Sequence, residues 1–436
     1  MTIIDLPPAC LPERHAPYDV NGNNSLPSLI QSILYIFTIV LFPFILPAQT
    51  SSRFIHLVDS ALSFQVKNDL IPGAVVLIKK GDQIIHKKAY GYAAEYAFDQ
   101  SRLKNPEVMT TDHVFDIASL TKVVGTTTAI MILHDKGIIN VEDPVSHYIP
   151  DFNTEDKKSI TIRQLLTHSS GLYEWYPMYY RANNKNEVYK LIASLPLNFQ
   201  IGAGRHYSDL GFTILGQIVE NTSNLSLELF DEKNIFIPLG MSHTMYRPLD
   251  HHITKIVSTS HGNPYEHRMV YDTSLHFTFK EIKPSQWNHW RDYTLKGEVN
   301  DGNAWYACQG ISGAAGIFST ANDLQKLVDL LLNKGKANGK QIISEKTIKL
   351  FLTKDKFKNG LGWMMDPENP VIRNAPEGSF GHTGFTGTSI SVIPKSRVSV
   401  ILLINRQNKG LLPGKSYYNL SPLRQEIFGW AMKYLN

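Results

Sequence analysis

Cysteine is scarce in this chain, with Cys10 and Cys308 as the two cysteines among 436 residues. Two cysteines so far apart do not form a disulfide framework, and the chain contains neither a CxxC nor an HExxH pattern that would indicate a metal centre. Runs of one charge are also missing, because 43 basic and 39 acidic residues are scattered along the chain. We therefore predict no metal, no cofactor and no nucleic-acid partner.

Charged residues are absent from 22–52, and the run ILYIFTIVLFPFIL at 33–46 is apolar except for Thr38. A run of this length is typical of a signal peptide, whereas the uncharged stretch 26–48 is long enough to span a membrane with tilt. We therefore expect an exported protein that is periplasmic, extracellular or membrane-anchored. Cleaved signal and uncleaved anchor both remain open, a buried core helix is the alternative, and residues 1–25 form a leader of unclear role.

The remaining residues, 52–436, contain no internal repeat and no Ser/Gly-rich linker, so they are interpreted as one domain. Their hydrophobic periodicity mixes helices with strands, which gives an α+β fold class. The region 250–307 lacks a clean period and is expected to shape a surface or the mouth of a site. The predicted elements are a helix at 54–68, a hairpin at 74–91, a loop at 101–112, a buried strand within 392–405, and helices at 160–166, 210–219, 321–333 and 418–435.

Ser119 and Lys122 stand three residues apart at the start of a predicted apolar helix. Positions i and i+3 share one face of a helix, so the amine can reach the hydroxyl, which needs a base to become nucleophilic. Such a lysine must be neutral, and a buried helix favours this by desolvation. On spacing alone, a helix cap with a surface lysine is more common. A second copy of the spacing, at 101–104, lies in a charged loop and is set aside.

Two further motifs follow in order: Tyr207-Ser208-Asp209 before an apolar helix, and His382-Thr383-Gly384 before a predicted strand. With Ser119-Leu120-Thr121-Lys122, this layout resembles the class C β-lactamase and DD-peptidase-like serine hydrolase family. The resemblance covers roughly 54–435 and includes the stretches ITIRQLLTHSSGL, IPLGMSHT and GISGAAGIFSTANDL. It implies a β-lactamase/transpeptidase-like fold, in which helices flank an antiparallel sheet beside a mostly helical subdomain.

The resemblance also implies roles for the motif residues. Ser119 would form an acyl-enzyme while Lys122 and Tyr207 share the proton transfer, with the pKa of the phenol lowered by neighbouring cations. The backbone N–H groups of Ser119 and Phe385 would form the oxyanion hole. The expected substrate-binding residues are Asp209, His382, Thr383 and Gly384.

Two positions depart from the β-lactamase pattern, because His382 replaces lysine and Asp209 replaces asparagine. Histidine is mostly neutral at pH 7, although protonated His382 would be a second cation beside Tyr207. An ionised Asp209 cannot donate a hydrogen bond, and a capping role for it stays open. Both changes weaken the case for β-lactam hydrolysis and leave esters, amides and D-amino-acid peptides.

Several other residues receive structural interpretations. His168 is expected to form a turn, and Tyr417-Tyr418-Asn419 is expected on the surface, because it follows the His-Thr-Gly motif. Asn300, Asp301 and Asn303 are interpreted as a turn, with a substrate mouth as the alternative. The aromatic residues that follow Gly171 either contact an acyl group or cover the sheet; they are Trp175, Tyr176, Tyr179 and Tyr180.

The leading hypothesis is an exported, monomeric serine hydrolase that acts through an acyl-enzyme on a small ester, amide or D-amino-acid peptide, including peptidoglycan-derived substrates. The alternative is a non-catalytic penicillin-fold protein that binds cell-wall fragments. An α/β-hydrolase is rejected because the chain contains no Gly-x-Ser-x-Gly.

Overall fold

A computed structural model describes residues 52–275, 277, 279 and 281–436. The predictions for 1–25 and 26–48 lie outside these residues. Within the described ranges, no helix has both the length and the apolar character needed to cross a membrane.

The largest sheet has six strands in the order β11-β12-β13-β1-β2-β3, and every neighbouring pair is antiparallel. The predicted hairpin is present as β1 and β2, which join at Gly81 and Asp82. The late apolar strand, β13, pairs with β1 in the register Val76↔Leu402. The strand bounds are β1 Gly73–Lys80, β2 Gln83–Tyr96, β3 Arg102–Val108, β11 Phe380–Thr383, β12 Ser389–Ile393 and β13 Val398–Ile404.

Both faces of this sheet are covered, which explains why its central strands are apolar on consecutive residues. Side chains alternate between faces along a strand. In β1, Val76 packs with helix α1 (52–67) and helix α11 (Ser421–Leu435) on one face. The next residue, Leu77, packs on the opposite face with the large core of the helical region.

The helical region covers the second face and carries the site. Three small sheets accompany it: β4 Phe115–Asp116, β8 Ile317–Ser319 and β5 Met245–Tyr246; β6 Ser258–His261 with β7 Thr294–Lys296; and β9 Lys336–Ala337 with β10 Lys340–Gln341. Its α-helices are α2 Thr128–Asp135, α3 Ile162–Leu166, α4 Lys185–Ser194, α5 Asp209–Ser223, α6 Leu227–Asp231, α7 Ile237–Leu239, α8 Pro264–Tyr271, α9 Ala321–Leu332 and α10 Glu345–Phe351. The predicted antiparallel sheet flanked by helices is therefore confirmed.

The loop predicted at 101–112 is wrong in part, because β3 occupies Arg102–Val108. This strand is the edge of the large sheet and, among the described residues, pairs with β2 alone, with irregular register. Edge strands carry charged residues and proline to discourage further pairing, and Lys104, Pro106 and Glu107 supply both. An exposed edge strand thus resembles a loop in composition.

The helix that carries the nucleophile begins irregularly, with a 3-10 turn at Ala118–Leu120 and a π-helical segment at Lys122–Thr127 before α2. Against this segment lies Asp231, which is fully buried. A Cβ atom added at Gly125 would lie 2.5 Å from Asp231 Oδ2, so glycine allows the close approach. Tyr246 Oη donates a hydrogen bond of 3.1 Å to the same oxygen.

Burial raises the pKa of Asp231 to about 8, which predicts a pH-dependent stability. An unfolded aspartate ionises above about pH 4, so the folded chain holds an extra proton between about pH 4 and 8, and stability falls as pH rises through that window. Asp231→Asn should remove this loss. Relative to the natural chain, its unfolding free energy in urea should improve by about 1–3 kcal/mol between pH 5 and pH 8. Asp82→Asn, at a side chain that is 94% exposed, should show no such change.

Candidate active site

Ser119 lies where the chain turns from β4 into the irregular helix. The preceding residue, Ala118, has a φ of 45°, a left-handed conformation that is strained for alanine. Buried Asp116 braces this turn, since it accepts hydrogen bonds of 2.8 Å from the amide of Ala118 and 2.6 Å from the amide of Asn300. The sequence does not identify Asp116 as a site residue, because a carboxylate three residues before a serine is not a recognisable motif.

Lys122 is fully buried, and its Nζ contacts three oxygens. It donates hydrogen bonds to Ser119 Oγ at 3.1 Å and to the carbonyl of Ala314 at 3.0 Å, and it lies 2.7 Å from Asp209 Oδ1. An ammonium group has three N–H groups, so these three oxygens match a protonated lysine. Burial alone would lower the pKa of Lys122, but the charge of Asp209 outweighs burial and raises it. The expectation of a neutral lysine is therefore not met: Lys122 is a cation.

Tyr207 is placed beside this cation by the start of helix α5. Ser208 caps the helix by accepting a hydrogen bond from the amide of Gly211 at 3.0 Å, so Asp209 is not the cap. His168 is structural, as predicted: its Nδ1 accepts from the amide of Ser208 at 2.9 Å, and its ring lies 4.4 Å from the ring of Tyr207. The Nζ of Lys122 lies 5.1 Å from the centre of the Tyr207 ring.

Burial raises the pKa of Tyr207, although the charge of Lys122 acts against this. The phenol is therefore protonated at neutral pH, which differs from the lowered pKa expected from the sequence. The physical reason is that Lys122, which is paired with Asp209, does not offset the desolvation of the phenolate.

The turn between β11 and β12 is hydrogen-bonded to the segment that precedes Ser119. Thr386 Oγ1 donates to the carbonyl of Asp116 at 2.7 Å, and Thr388 Oγ1 donates to the carbonyl of Ile117 at 3.1 Å. A Cβ atom at Gly384 would lie 2.3 Å from that Ile117 carbonyl, so Gly384 serves close packing. Among the described residues, no acceptor takes the amide hydrogens of Ser119 and Phe385. Their role as an oxyanion hole stays a prediction.

His382 does not supply a cation, in contrast to the expectation for a protonated histidine. Its side chain is fully buried, and its Nδ1 lies 2.9 Å from the carbonyl of Thr383, which assigns the ring proton to Nδ1. Burial, reinforced by the charge of Lys122, lowers the pKa of His382 to about 3. Of the four residues predicted to bind substrate, Asp209 lines the cavity, whereas His382, Thr383 and Gly384 do not.

A cavity of about 250 Å³ opens in front of Ser119 and contains more than the motifs predicted. Tyr417 lines it and is 7% exposed, so the surface interpretation of that residue is wrong. The region 250–307 shapes its mouth, as expected. Trp175, one of the aromatic residues that follow Gly171, also lines the cavity. The lining residues from the region 250–307 are Asn263, Tyr265, Glu266, Met269, Phe277, Asn300 and Asp301.

The other aromatic and amide candidates are structural. Asn303 fastens the aromatic segment, since it accepts a hydrogen bond of 2.8 Å from the amide of Met178 and donates one of 2.9 Å to the carbonyl of Tyr176. Tyr179 packs between Trp287 and Tyr306 at ring distances of 4.6 and 5.2 Å.

Comparison with known proteins identifies the family of the chain. The model of the family described as Beta-lactamase matches residues 58–420. The chain belongs to the β-lactamase family. This family comprises serine hydrolases, so the general activity and the β-lactamase/transpeptidase-like fold implied by the resemblance are confirmed.

Relatives within the family carry peptidoglycan-related names. The chain is 31% identical to an N-acetylmuramyl-L-alanine amidase from Bacillus subtilis (strain 168), over 83% of this chain and 83% of the relative. It is 30% identical to a protein from Salmonella agona (strain SL483) provisionally named D-alanyl-D-alanine carboxypeptidase, over 89% of this chain and 96% of the relative. A penicillin-binding protein homologue from Caulobacter crescentus shares the fold, with a TM-score of 0.63, 18% identity, and coverage of 88% and 98%.

Proposed function

We propose that this chain is an exported serine hydrolase that cleaves a small ester, amide or D-amino-acid peptide through an acyl-enzyme on Ser119. The observation that carries the proposal is the hydrogen bond of 3.1 Å between buried Lys122 and Ser119 Oγ, at the wall of a cavity. A lysine without a role at the site would be exposed to solvent, whereas the three N–H groups of Lys122 are buried against a serine, a carboxylate and a carbonyl.

The reaction would proceed by two acyl transfers. Lys122 already donates to Ser119 Oγ, so the hydroxyl proton is directed elsewhere, and Tyr207 is its acceptor once the phenol is ionised. The Oγ atom bonds to the substrate carbonyl carbon, the carbonyl oxygen takes up charge opposite the amides of Ser119 and Phe385, and the serine proton passes to Tyr207. Tyr207 returns that proton to the departing amine or alkoxide. Water then repeats the sequence and releases the acid.

The substrate class is supported by two observations. The cavity of about 250 Å³ lies below the ~300–1,000 Å³ typical of sites for drug-sized ligands, so a small ligand is favoured. The amidase and carboxypeptidase names among the relatives favour an amide or peptide from the cell wall, a substrate that requires export. The uncharged stretch 22–52 supports that export.

Labelling with a fluorophosphonate tests the proposal. The natural full-length chain should be labelled at one site, and it should hydrolyse p-nitrophenyl acetate with a burst of about one equivalent. Ser119→Ala should lose both signals, whereas Ser101→Ala, which alters the second copy of the spacing, should keep them. A chain that is folded by circular dichroism but neither labelled nor active would instead support the non-catalytic binding protein.

A further inference from the structure

Apart from the tyrosine hydroxyls, the ionisable side chains that line the Ser119 cavity are all carboxylic acids. Among the described residues that form its wall, none is lysine, arginine or histidine, whereas three are carboxylic acids: Asp209, Glu266 and Asp301. Lys122 neutralises the first of them at 2.7 Å. The other two line the cavity and form no salt bridge within the described ranges, although the charge of Arg291 acts to lower the pKa of both.

Glu266 and Asp301 are held in place by backbone amides. Glu266 Oε2 accepts from the amide of Gly302 at 2.9 Å, and Asp301 Oδ1 accepts from the amide of Ala304 at 2.7 Å. Glu266 Oε1 is enclosed and has no hydrogen-bond partner within the described ranges. The hydroxyl of Tyr179 acts to lower the pKa of this carboxyl, so the protein surrounds Glu266 with neutral donors and forms no salt bridge to it among the described residues.

The aromatic residues of the cavity point to the same ligand chemistry. Faces of aromatic rings attract cations, and cages of such rings bind ammonium groups. Six rings share the cavity with the carboxyl groups: Trp175, Tyr207, Tyr265, Phe277, Phe385 and Tyr417. Rings and carboxylates together attract a cation and repel a carboxylate.

Cations behind the wall are engaged elsewhere. Arg406 stacks on Phe385 at 5.4 Å, and its Nη2 donates to the carbonyl of that residue at 2.8 Å. Arg291 has a side chain that is 3% exposed, and its Nη2 donates to the carbonyl of Val299 at 2.9 Å. His382 is neutral, as shown above. Arg205 also stands behind the wall, 5.7 Å from the centre of the Tyr207 ring. Among the described residues, none of these cations lines the cavity.

The pKa values of Asp301 and Glu266 are both raised, as expected for buried acids that form no salt bridge. Burial and the charge of Asp209 raise the pKa of Asp301 to about 6, so this group is ionised at neutral pH. Burial and the charge of Asp301 raise the pKa of Glu266 to about 8. A bound cation would relieve both the desolvation and the mutual repulsion.

We propose that the substrate carries an ammonium group that binds at Asp301 and Glu266 while Ser119 attacks its carbonyl. This inference rests on the proposed hydrolase function and narrows its substrate to an amine-bearing amide, ester or peptide. Because the cavity is small, the ammonium and the scissile carbonyl belong to one compact ligand.

Protection of Ser119 from fluorophosphonate labelling tests this inference on the full-length chain. Three competitors share one amide and differ in charge: D-alaninamide is cationic, N-acetyl-D-alaninamide is neutral and N-succinyl-D-alaninamide is anionic. The concentration that halves the labelling rate should be at least about tenfold lower for the cation than for the neutral compound, since loss of a desolvated charge pair costs this much or more. The anion should protect least.

Variants assign the preference to residues. Asp301→Asn and Glu266→Gln should each reduce the preference for the cation at least threefold and leave protection by the neutral compound unchanged. Asp250→Asn, at an acid that lines a different cavity, should change neither. If Asp301→Asn fails to fold, the protection measurements on Glu266→Gln and on the natural chain still test the ammonium inference.

The failures of the two proposals are distinguishable. If Ser119 is labelled but the three competitors protect equally, or the anion protects best, the ammonium inference is overturned and the hydrolase stands. If Ser119 is not labelled at all, the hydrolase proposal fails and the ammonium inference fails with it.

Discussion

Lys122→Met is expected to lower kcat/KM on p-nitrophenyl acetate by about 10³-fold, within the ~10²–10⁴ range of a group that handles the proton of a nucleophile. The variant removes the N–H that Ser119 Oγ accepts at 3.1 Å and the positive charge that favours an ionised Tyr207. It also leaves the carboxylate of Asp209 without its partner at 2.7 Å. Activity and stability should therefore fall together.

The stability loss has a predictable size. Breaking a fully buried ion pair costs ~3–5 kcal/mol, and because the side chain of Asp209 remains 24% exposed, we expect about 1–3 kcal/mol by urea unfolding. Lys157→Met is a matched control. Lys157 is also a buried lysine, 4% exposed, but its partner Asp156 is 48% exposed and outside the cavity. That variant should keep full activity.

A double variant separates catalysis from stability. Lys122→Met with Asp209→Asn removes both charges, so most of the stability should return while activity stays low. If activity returned with stability, Lys122 would serve only to neutralise Asp209, and its assignment to the proton transfer would be wrong. The comparison uses kcat/KM and the urea midpoint of the same preparations.

The sequence predicted the fold well where one physical signal dominated. Strands β1 and β13 are continuous apolar runs because both of their faces are buried, and such runs are easily recognised. Strand β3 was missed because an exposed edge strand has the composition of a loop. Its position depends on pairing with β2, which no local pattern encodes.

The site was predicted from the order of its motifs, but its charge states were not. Whether Lys122 is neutral depends on the distance between its Nζ and Asp209, a contact between residues 87 positions apart in the chain. The burial of His382 depends on the packing of β11 against the nucleophile segment. Glu266 and Tyr265 lie in a region without periodicity, so nothing in their spacing marked them as cavity residues.

Tyr207→Phe is expected to reduce kcat/KM by about 10²–10⁴-fold, because it removes the proposed acceptor of the serine proton while keeping the ring that packs on His168. The pH profile is the decisive measurement. Because burial raises the pKa of Tyr207, only a small fraction of the phenol is ionised at neutral pH. Below that pKa the ionised fraction grows about tenfold per pH unit, so log kcat/KM of the natural chain should rise steadily from pH 6 to 9.

Tyr207→Phe should flatten this rise once the hydroxide background, measured with Ser119→Ala, is subtracted. Tyr189→Phe serves as the control, because it also removes a buried hydroxyl, one that donates to Glu220 at 2.9 Å outside the cavity, and it should retain both the rate and the slope. A Tyr207→Phe enzyme that is slower but keeps the natural slope would transfer the role of base to Lys122. A variant with the natural rate would remove Tyr207 from the mechanism, since a phenol that only packs can lose its hydroxyl without effect on proton transfer.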